Sequence, residues 1–414
     1  MKLYTREKYL KKIRSFYDAD DIIKVITGVR RCGKSCLMQS IAQELTERGV
    51  SEADIVYIDL DKKELRNIKT TDQLEMLIDE RLGSTGDGLK YLFIDEIQNV
   101  RDFEELINGY RTDGRISIFI TGSNSYLLSG ELMTKLTGRY LEFEMFTLTF
   151  DEYLDMKRFY GKPVGYDLLA ELNQYIIEGG FPRTVTIDDL EAKRVYVDGV
   201  VREIFEKDIR GRLKIKDTAA FEAVQNFVIN NFGSTMSIKS ICDGLKQTGI
   251  NTTRATVSRY IGALVDAKII YECKRFDMKS KRAMVNEKKY YLADLGIYYS
   301  LNVDNRINYG PNLENIVYIY ARSMDMAVSV GRIGRLECDF IMRNRTNDYA
   351  YVQVAYTILA SRETEDREYR PLEKIRDNYP KYVVTTDGLL QKRNGIRHVN
   401  LMNYIASGQK FCGE

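Results

Sequence analysis

The chain has 414 residues, of which 44% are hydrophobic and 29% are charged, as in an ordinary globular protein. This length predicts about two to four domains. The formal net charge is only +2, so a surface that binds nucleic acid must be a local basic patch. The amino terminus is polar and no apolar run approaches the roughly 18 residues of a membrane span, so we expect a cytoplasmic protein without a membrane partner.

The cysteine and histidine content argues against a zinc site. The six cysteines are scattered without a zinc-type spacing, so we predict six reduced thiols. The one histidine, His398, lies near the carboxyl terminus, which argues against a histidine-based metal site or a serine–histidine triad in the core.

The most specific motif is G-x-x-x-x-G-K-S at residues 28–35. It follows an apolar run, 22–27, that suits a buried strand, and it precedes a segment, 36–42, that suits a helix. Its glycines allow backbone N–H groups to surround a phosphate at the helix amino terminus. Lys34 is expected to bind the β- and γ-phosphates of ATP, and Ser35 to bind Mg²⁺. The predicted nucleotide-binding residues of this phosphate loop are Gly28, Val29, Arg30, Arg31, Cys32, Gly33, Lys34, Ser35 and Cys36.

A pair of carboxylates follows the apolar strand 91–94. Strands alternate with helices over residues 54–121, which predicts a parallel sheet that binds ligands beyond the carboxyl ends of its strands. Asp95 is therefore expected to bind Mg²⁺ together with the loop serine, and Glu96 to activate the attacking water as a general base. An acidic surface turn is the alternative explanation of this pair.

Three further residues are candidates for contact with the terminal phosphate. Ser123 and Asn124 end the strand 116–121 and are predicted to sense the γ-phosphate, although a plain polar turn explains them equally well. Arg139 is predicted to neutralise developing charge as an arginine finger, within its own chain or across a subunit interface. A surface arginine is the alternative.

Four segments, GVRRCGKS, YLFIDEIQN, FITGSNS and LTGRYLEFEMFTLTFDEYL, together resemble a family of AAA-like P-loop ATPases from archaea and bacteria. The resemblance covers nearly the whole chain. It implies an α/β protein with a P-loop parallel-sheet core over 1–160, a winged-helix domain over 216–295 and a mixed α/β domain resembling restriction endonucleases over 296–414. Residues 151–215 read as helices, which predicts a helical linker or lid over 161–215.

Residues 216–295 by themselves also predict a helix-turn-helix. One helix spans 221–232, a second begins after Ser237, and a third begins after the turn 249–251. The outward face of the third helix is expected to enter a major groove. Residues 268–289 contain eight basic and three acidic side chains, a formal charge of +5, which predicts a basic hairpin that contacts DNA phosphates. The candidates are Arg254, Ser258, Arg259, Lys274, Arg275, Lys279, Lys281 and Arg282.

In residues 296–414, Glu314 and Asp339 match two carboxylates that the resemblance to restriction endonucleases implies around magnesium. Gln353 stands where a third acid is usual, and Ala355 stands where a lysine is usual. This loss predicts a degenerate site without nuclease activity, unless a lysine from elsewhere, such as Lys374, replaces the missing one. An ordinary α/β domain with a strand carboxylate is the alternative.

Taken together, these motifs predict an ATPase that uses ATP and Mg²⁺. The leading hypothesis is association with duplex DNA, with nucleotide state coupled to domain arrangement. A signalling or assembly switch that binds a protein partner or a second copy of the chain is the first alternative. An ATP-dependent nuclease is the second.

Overall fold

The structure is a computed structural model that describes residues 2–83, 88–122, 136, 138–211, 213–215, 217–280, 282–302 and 306–412, with only the backbone of 282–286. The chain divides into two compact units, Met1–Met145 and Phe146–Glu414. Each unit is considered by itself below.

The first unit is built on a parallel sheet. Its strands are β1 (Ile23–Gly28), β2 (Ile55–Asp59), β3 (Lys90–Asp95), β4 (Ile116–Thr121) and β5 (Tyr140–Met145). Its helices are α1 (Glu7–Ile13), α2 (Lys34–Glu47), α3 (Thr71–Leu82) and α4 (Phe103–Asp113). The strand order is β2–β3–β4–β1–β5, and every neighbouring pair is parallel. This arrangement confirms the predicted P-loop parallel-sheet core.

Burial explains which strands could be predicted from the sequence. β1, β3 and β4 are apolar and almost entirely buried, as expected of parallel strands covered on both faces. β5 was not predicted as a strand, because Glu142 and Glu144 alternate with apolar residues and break the apolar run. Among the described strands of this sheet, it occupies the edge beside β1.

The second unit begins with a helical region and continues into a mixed sheet. Its helices are α5 (Phe150–Phe159), α6 (Leu168–Glu178), α7 (Leu190–Ile204), α8 (Thr218–Asn230), α9 (Ile238–Gln247), α10 (Arg254–Asp266), α11 (Leu295–Leu301), α12 (Tyr309–Ser323), α13 (Arg362–Glu373) and α14 (Leu401–Ala406). Its strands are β6 (Thr235–Met236), β7 (Ile270–Asp277), β8 (Arg282–Leu292), β9 (Ala327–Ile333), β10 (Leu336–Arg343), β11 (Tyr349–Val354), β12 (Lys381–Thr385), β13 (Lys392–Arg393) and β14 (Ile396–Asn400).

One sheet of nine strands joins the predicted winged-helix and carboxyl-terminal segments. Its order is β13–β14–β12–β11–β10–β9–β7–β8–β6. β7 forms an antiparallel hairpin with β8 and also pairs in parallel with β9. The predicted division at residue 295 therefore separates two segments that share backbone hydrogen bonds, and it stays a prediction. Hydrophobic periodicity predicts individual strands but does not report which distant strands pair.

The lengths and apolarity of the helices bear on membrane insertion. Within the described ranges, none of the helices combines the length and the apolar character needed to cross a bilayer.

Candidate nucleotide-binding site

The predicted phosphate loop connects β1 directly to the amino terminus of α2. Gly28 and Gly33 adopt φ angles of 142° and 109°, which glycine accepts far more readily than other residues. A Cβ atom added to Gly28 would lie 2.2 Å from the carbonyl oxygen of Met145 on β5. The glycine is therefore required by the close approach of a second strand as well as by the turn itself.

Two basic side chains lie against the carbonyl oxygens of this loop. Lys34 is buried, and its Nζ donates to the carbonyl oxygens of Gly28 and Val29 at 3.0 and 3.3 Å. Arg6, which precedes α1, is also buried, and its Nη1 donates to the carbonyl oxygen of Cys32 at 3.2 Å. Arg6 thus ties the amino-terminal segment to the loop. No motif in the sequence indicated this contact.

The predicted magnesium-binding carboxylate, Asp95, ends β3 and is 3% exposed. Its Oδ1 accepts a hydrogen bond from Thr121 Oγ1, at the end of β4. Tyr57 OH donates to Asp95 Oδ2 at 3.5 Å and lies 3.4 Å from the carbonyl oxygen of Ser35. These contacts bring the two residues predicted to bind Mg²⁺, Ser35 and Asp95, around a common tyrosine.

Glu96 follows Asp95 in a left-handed backbone conformation with φ of 57°. Its backbone N–H donates to Thr121 Oγ1 at 3.3 Å, and its side chain accepts a hydrogen bond from Gln98 Nε2. Burial raises the pKa of the Glu96 carboxyl, and the positive charges of Lys34 and Arg30 oppose this rise. Strained backbone and a raised carboxyl pKa are common where a residue acts as a general base.

Sequence reasoning missed a second carboxylate at this edge of the sheet. Asp59 ends β2 directly beside Asp95 in the parallel register. Burial raises the pKa of the Asp59 carboxyl, and the charge of Asp95 adds to this rise. Asp59 and Thr121 were detectable as polar residues at the ends of predicted strands. Tyr57 and Gln98 were not, because their roles depend on hydrogen bonds to other strands and turns.

The remaining predicted residues of this site have different outcomes. Ser123 and Asn124 lie outside the described residues. Arg139 is exposed and immediately precedes β5, whose first residue lies opposite Ile23 at the start of β1. The phosphate loop lies at the other end of these strands, about 20 Å away at roughly 3.3 Å per residue. The structure thus places Arg139 away from the phosphate loop of its own chain, and its role as an arginine finger stays a prediction.

In the second unit, Glu314 of the predicted degenerate site contacts a lysine that was assigned to the basic hairpin. Lys289, on β8, donates from Nζ to Glu314 Oε2 at 2.9 Å and lies 2.9 Å from Glu337 Oε1. Tyr291 OH also donates to Glu314 Oε2, at 2.8 Å. The Lys289 side chain is only 5% exposed. We call these four residues the Lys289 cluster.

Asp339 and Gln353 lie next to this cluster. The backbone N–H of Asp339 donates to Gln353 Oε1 at 3.3 Å, and Gln353 Nε2 donates to Glu368 Oε2 at 3.0 Å. Burial and the charge of Glu314 raise the pKa of Asp339, whereas Lys289 lowers it. Across the described part of the chain, no group of three or more His, Cys, Asp or Glu side chains is arranged to hold a metal ion.

The predicted DNA-binding residues fall into two groups. Five are exposed, on α10 and on the β7–β8 hairpin: Arg254, Ser258, Arg259, Lys274 and Lys279. Arg275 instead donates to Glu287 at 2.7 Å and to Glu337 at 2.6 Å, and its side chain is 11% exposed. The prediction that Arg275 contacts DNA is therefore corrected, because this side chain is paired with two carboxylates of its own sheet. Lys281 lies outside the described residues, and of Arg282 only the backbone is described.

The comparisons with known proteins agree with the fold of the first unit. Residues 20–154 match the sequence model of the AAA domain. The fold resembles the Walker-type ATPase PABY2304 of Pyrococcus abyssi, with a TM-score of 0.50 and 16% identity over 72% of this chain and 95% of that one. The parallel sheet and phosphate loop of the first unit are therefore those of an AAA-type P-loop domain.

Two relatives match most of the chain. An uncharacterized protein of Haemophilus influenzae is 34% identical over 384 residues, which cover 92% of this chain and 93% of that protein. Uncharacterized protein MJ1544 of Methanocaldococcus jannaschii is 31% identical over 86% of this chain and 79% of its own length. The chain belongs to the same family as these two proteins. Residues 169–307 also match a domain of unknown function, DUF8612.

Proposed function

We propose that the chain binds ATP with Mg²⁺ and hydrolyses it at the site between the phosphate loop and the carboxyl end of β3. The observation that carries this proposal is the convergence of Lys34, Ser35, Asp95 and Glu96 at one edge of the parallel sheet. Release of phosphate from ATP by the full chain, measured with and without Mg²⁺, tests it. Turnover that does not require the ion would contradict the assignment.

The chemistry of the residues present fits a magnesium ion. Ser35 supplies a hydroxyl oxygen and Asp95 a carboxylate oxygen, and hard oxygen ligands of this kind are those that Mg²⁺ prefers. When bound, the ion would neutralise charge on the ATP phosphates. Lys34 would bind the β- and γ-phosphates as a cation, and Glu96 would orient a water molecule and take its proton. Gln98 is placed to hold the Glu96 carboxylate for this task.

We infer that the second unit binds duplex DNA through α10 and the end of the β7–β8 hairpin. Three helices, α8, α9 and α10, precede the hairpin, in the order expected of a winged helix. Val257, Ile261 and Leu264 bury one face of α10, which leaves Arg254 and Arg259 exposed. Exposed cations on a helix beside a hairpin suit contacts with DNA phosphates. ATP turnover in the first unit would then be coupled to DNA held by the second.

Reversing the charge of Arg254 and Arg259 to Glu is expected to weaken duplex binding about equally for all sequences, because phosphate contacts carry no sequence information. The slope of log affinity against log salt should become shallower by about two. Fluorescence anisotropy at several salt concentrations measures both quantities. Arg370→Glu with Lys374→Glu, at an exposed position of α13 and at the exposed residue directly after it, is the charge-matched control. If the control and the α10 variant weaken binding alike, α10 is not the contact surface.

One observation favours the alternative of an assembly switch. Arg275, Lys288 and Lys289, three of the eight basic residues of the predicted hairpin, form ion pairs with carboxylates inside the second unit. The basic surface is thus smaller than the sequence indicated. Duplex affinity that is weak and independent of salt would favour a protein partner over DNA.

The second unit is expected to show no metal-dependent nuclease activity. Gln353 supplies no charge, Ala355 supplies no base, and the Lys289 ammonium already lies between Glu314 and Glu337. The measurement is prolonged incubation with linear, supercoiled and single-stranded DNA, with Mg²⁺ or Mn²⁺, in the presence and absence of ATP. Cleavage that is lost in Asp339→Ala would instead establish the nuclease alternative.

A further inference from the structure

A groove of about 1000 Å³ lies at the edge of the nine-stranded sheet where β11, β12 and β14 begin. The segment that follows α14 forms part of its wall, including Lys410 and Phe411. This edge is distinct from the Lys289 cluster, which involves β8, α12 and β10. The groove therefore belongs neither to the ATP site nor to the surface proposed for duplex DNA.

The floor of the groove is aromatic. Tyr382 packs edge-on against Phe411 with ring centroids 5.4 Å apart, and Tyr404 stacks on Phe411 at 4.7 Å. At the rim, Tyr379 is 41% exposed and lies 5.2 Å from the ring of Tyr349. A fixed floor and an exposed ring beside it provide flat surfaces on which a planar ligand can stack.

The charges around the groove favour an anion. Arg397 and Lys410 are both exposed, and in the described part of the chain no ion pair with a carboxylate is found for either. Arg397 Nη1 donates only to an uncharged group, Tyr382 OH, at 3.3 Å. Two acidic residues also line the groove: Asp377 accepts from Tyr351 OH at 2.6 Å and from Lys381, and the exposed Asp348 accepts from Asn344 and Thr346. The lining therefore carries three basic side chains, Lys381, Arg397 and Lys410, against these two carboxylates, and Arg397 and Lys410 face solvent.

We propose that this groove binds single-stranded nucleic acid. Bases would stack on the exposed ring of Tyr379, and backbone phosphates would contact Arg397 and Lys410. Proteins that bind single strands combine these two elements, a stacking platform and a cationic path for the backbone. A duplex cannot use the groove in this way, because its bases are already stacked on one another. Amide side chains at the rim, from Asn378 and Gln409, can donate to and accept from base edges.

The test is anisotropy of a fluorescein-labelled 12-nucleotide oligothymidine with the full chain. The Lys34→Ala background removes the predicted nucleotide site, so that binding reports on the groove. Tyr379→Ala is expected to weaken binding at least about fivefold, because one stacked base contributes this much or more. Tyr379→Phe should retain binding, since the ring remains. Tyr166→Ala, which removes a fully exposed tyrosine elsewhere in the second unit, is the matched control and should have no effect.

The cationic part of the proposal has its own variant. Arg397→Ala with Lys410→Ala should weaken binding and reduce its salt dependence, whereas Arg370→Ala with Lys374→Ala should not. Unlabelled single strand should compete with the probe, and duplex of equal length should compete poorly. No binding, or binding that survives both groove variants, would overturn the proposal. Equal competition by free thymidine monophosphate would also overturn it, because the groove would then be a mononucleotide site.

Discussion

Glu96→Gln is expected to lower ATP turnover by about a hundredfold or more while nucleotide affinity stays near that of the unchanged chain. The substitution removes the group that takes the proton from water, and loss of a general base commonly costs 10²–10⁴ in rate. It preserves the size of the side chain and an oxygen that can accept from Gln98. Steady-state phosphate release and equilibrium binding of a fluorescent ATP analogue measure the two quantities separately.

Lys34→Ala provides the complementary result, since it should abolish binding rather than turnover alone. Its ammonium is a buried cation that donates to carbonyl oxygens of the phosphate loop. Glu80→Gln makes the same chemical change as Glu96→Gln at an exposed position of α3 and should leave both quantities unchanged. A Glu96→Gln protein that hydrolyses ATP at the full rate would show that Glu96 is not the base.

Lys289→Met is expected to destabilise the second unit by about 3 kcal/mol, because it leaves buried carboxylates without their cation. Lys289 contacts both Glu314 and Glu337 at 2.9 Å, and its side chain is 5% exposed. The lower end of the range for broken buried pairs is appropriate, since Glu337 is 31% exposed and partly solvated. Calorimetry should show a melting temperature for this unit lower by about 10 °C, given a few degrees per kcal/mol in units of this size.

The pH dependence of this loss distinguishes charge from packing. Burial and Glu314 raise the pKa of Asp339 above its ordinary value. A group with a raised pKa in the folded state is most favourable at low pH and becomes unfavourable as pH rises through that pKa. Without Lys289 the ionised carboxylates repel one another more strongly, so the deficit should grow toward neutral pH and shrink as the pH falls toward about 4.

Lys279→Met is the matched control for this experiment. Lys279 is exposed in the turn of the same hairpin, so its loss should leave the melting temperature unchanged. Lys289→Met combined with Glu314→Gln should recover part of the stability, because one uncompensated charge is removed. A pH-independent loss in Lys289→Met would indicate that packing of the lysine stem, and not its charge, stabilises the cluster.

The geometry of the candidate nucleotide site was largely predictable because its parts are local in the chain. The conformation of Gly28 and Gly33 and the start of α2 at Lys34 depend on neighbouring residues, and a strand–loop–helix unit of this kind carries its own signature. The position of Asp95 at the end of β3, with Glu96 directly after it, was predictable for a similar reason, since both follow a buried apolar run. Asp59 had the same signal at the end of β2 and was overlooked.

The tertiary structure alone decided which residues that are distant in sequence lie close together. The pairing of β5 with β1 puts Arg139 at the far end of the strands from the phosphate loop, and no local pattern reports that pairing. The same holds for Arg6, whose hydrogen bond reaches Cys32 from another segment.

Lys289 shows the physical reason most clearly. By itself, a lysine in a basic stretch is expected in solvent, because burying an ammonium is costly. Only pairing with Glu314, from a helix that follows in the chain, and with Glu337, from β10, compensates that cost. The sequence by itself therefore determined the AAA-type core and its nucleotide motif, whereas the partners of buried charges were decided by contacts that form only when distant strands and helices pack together.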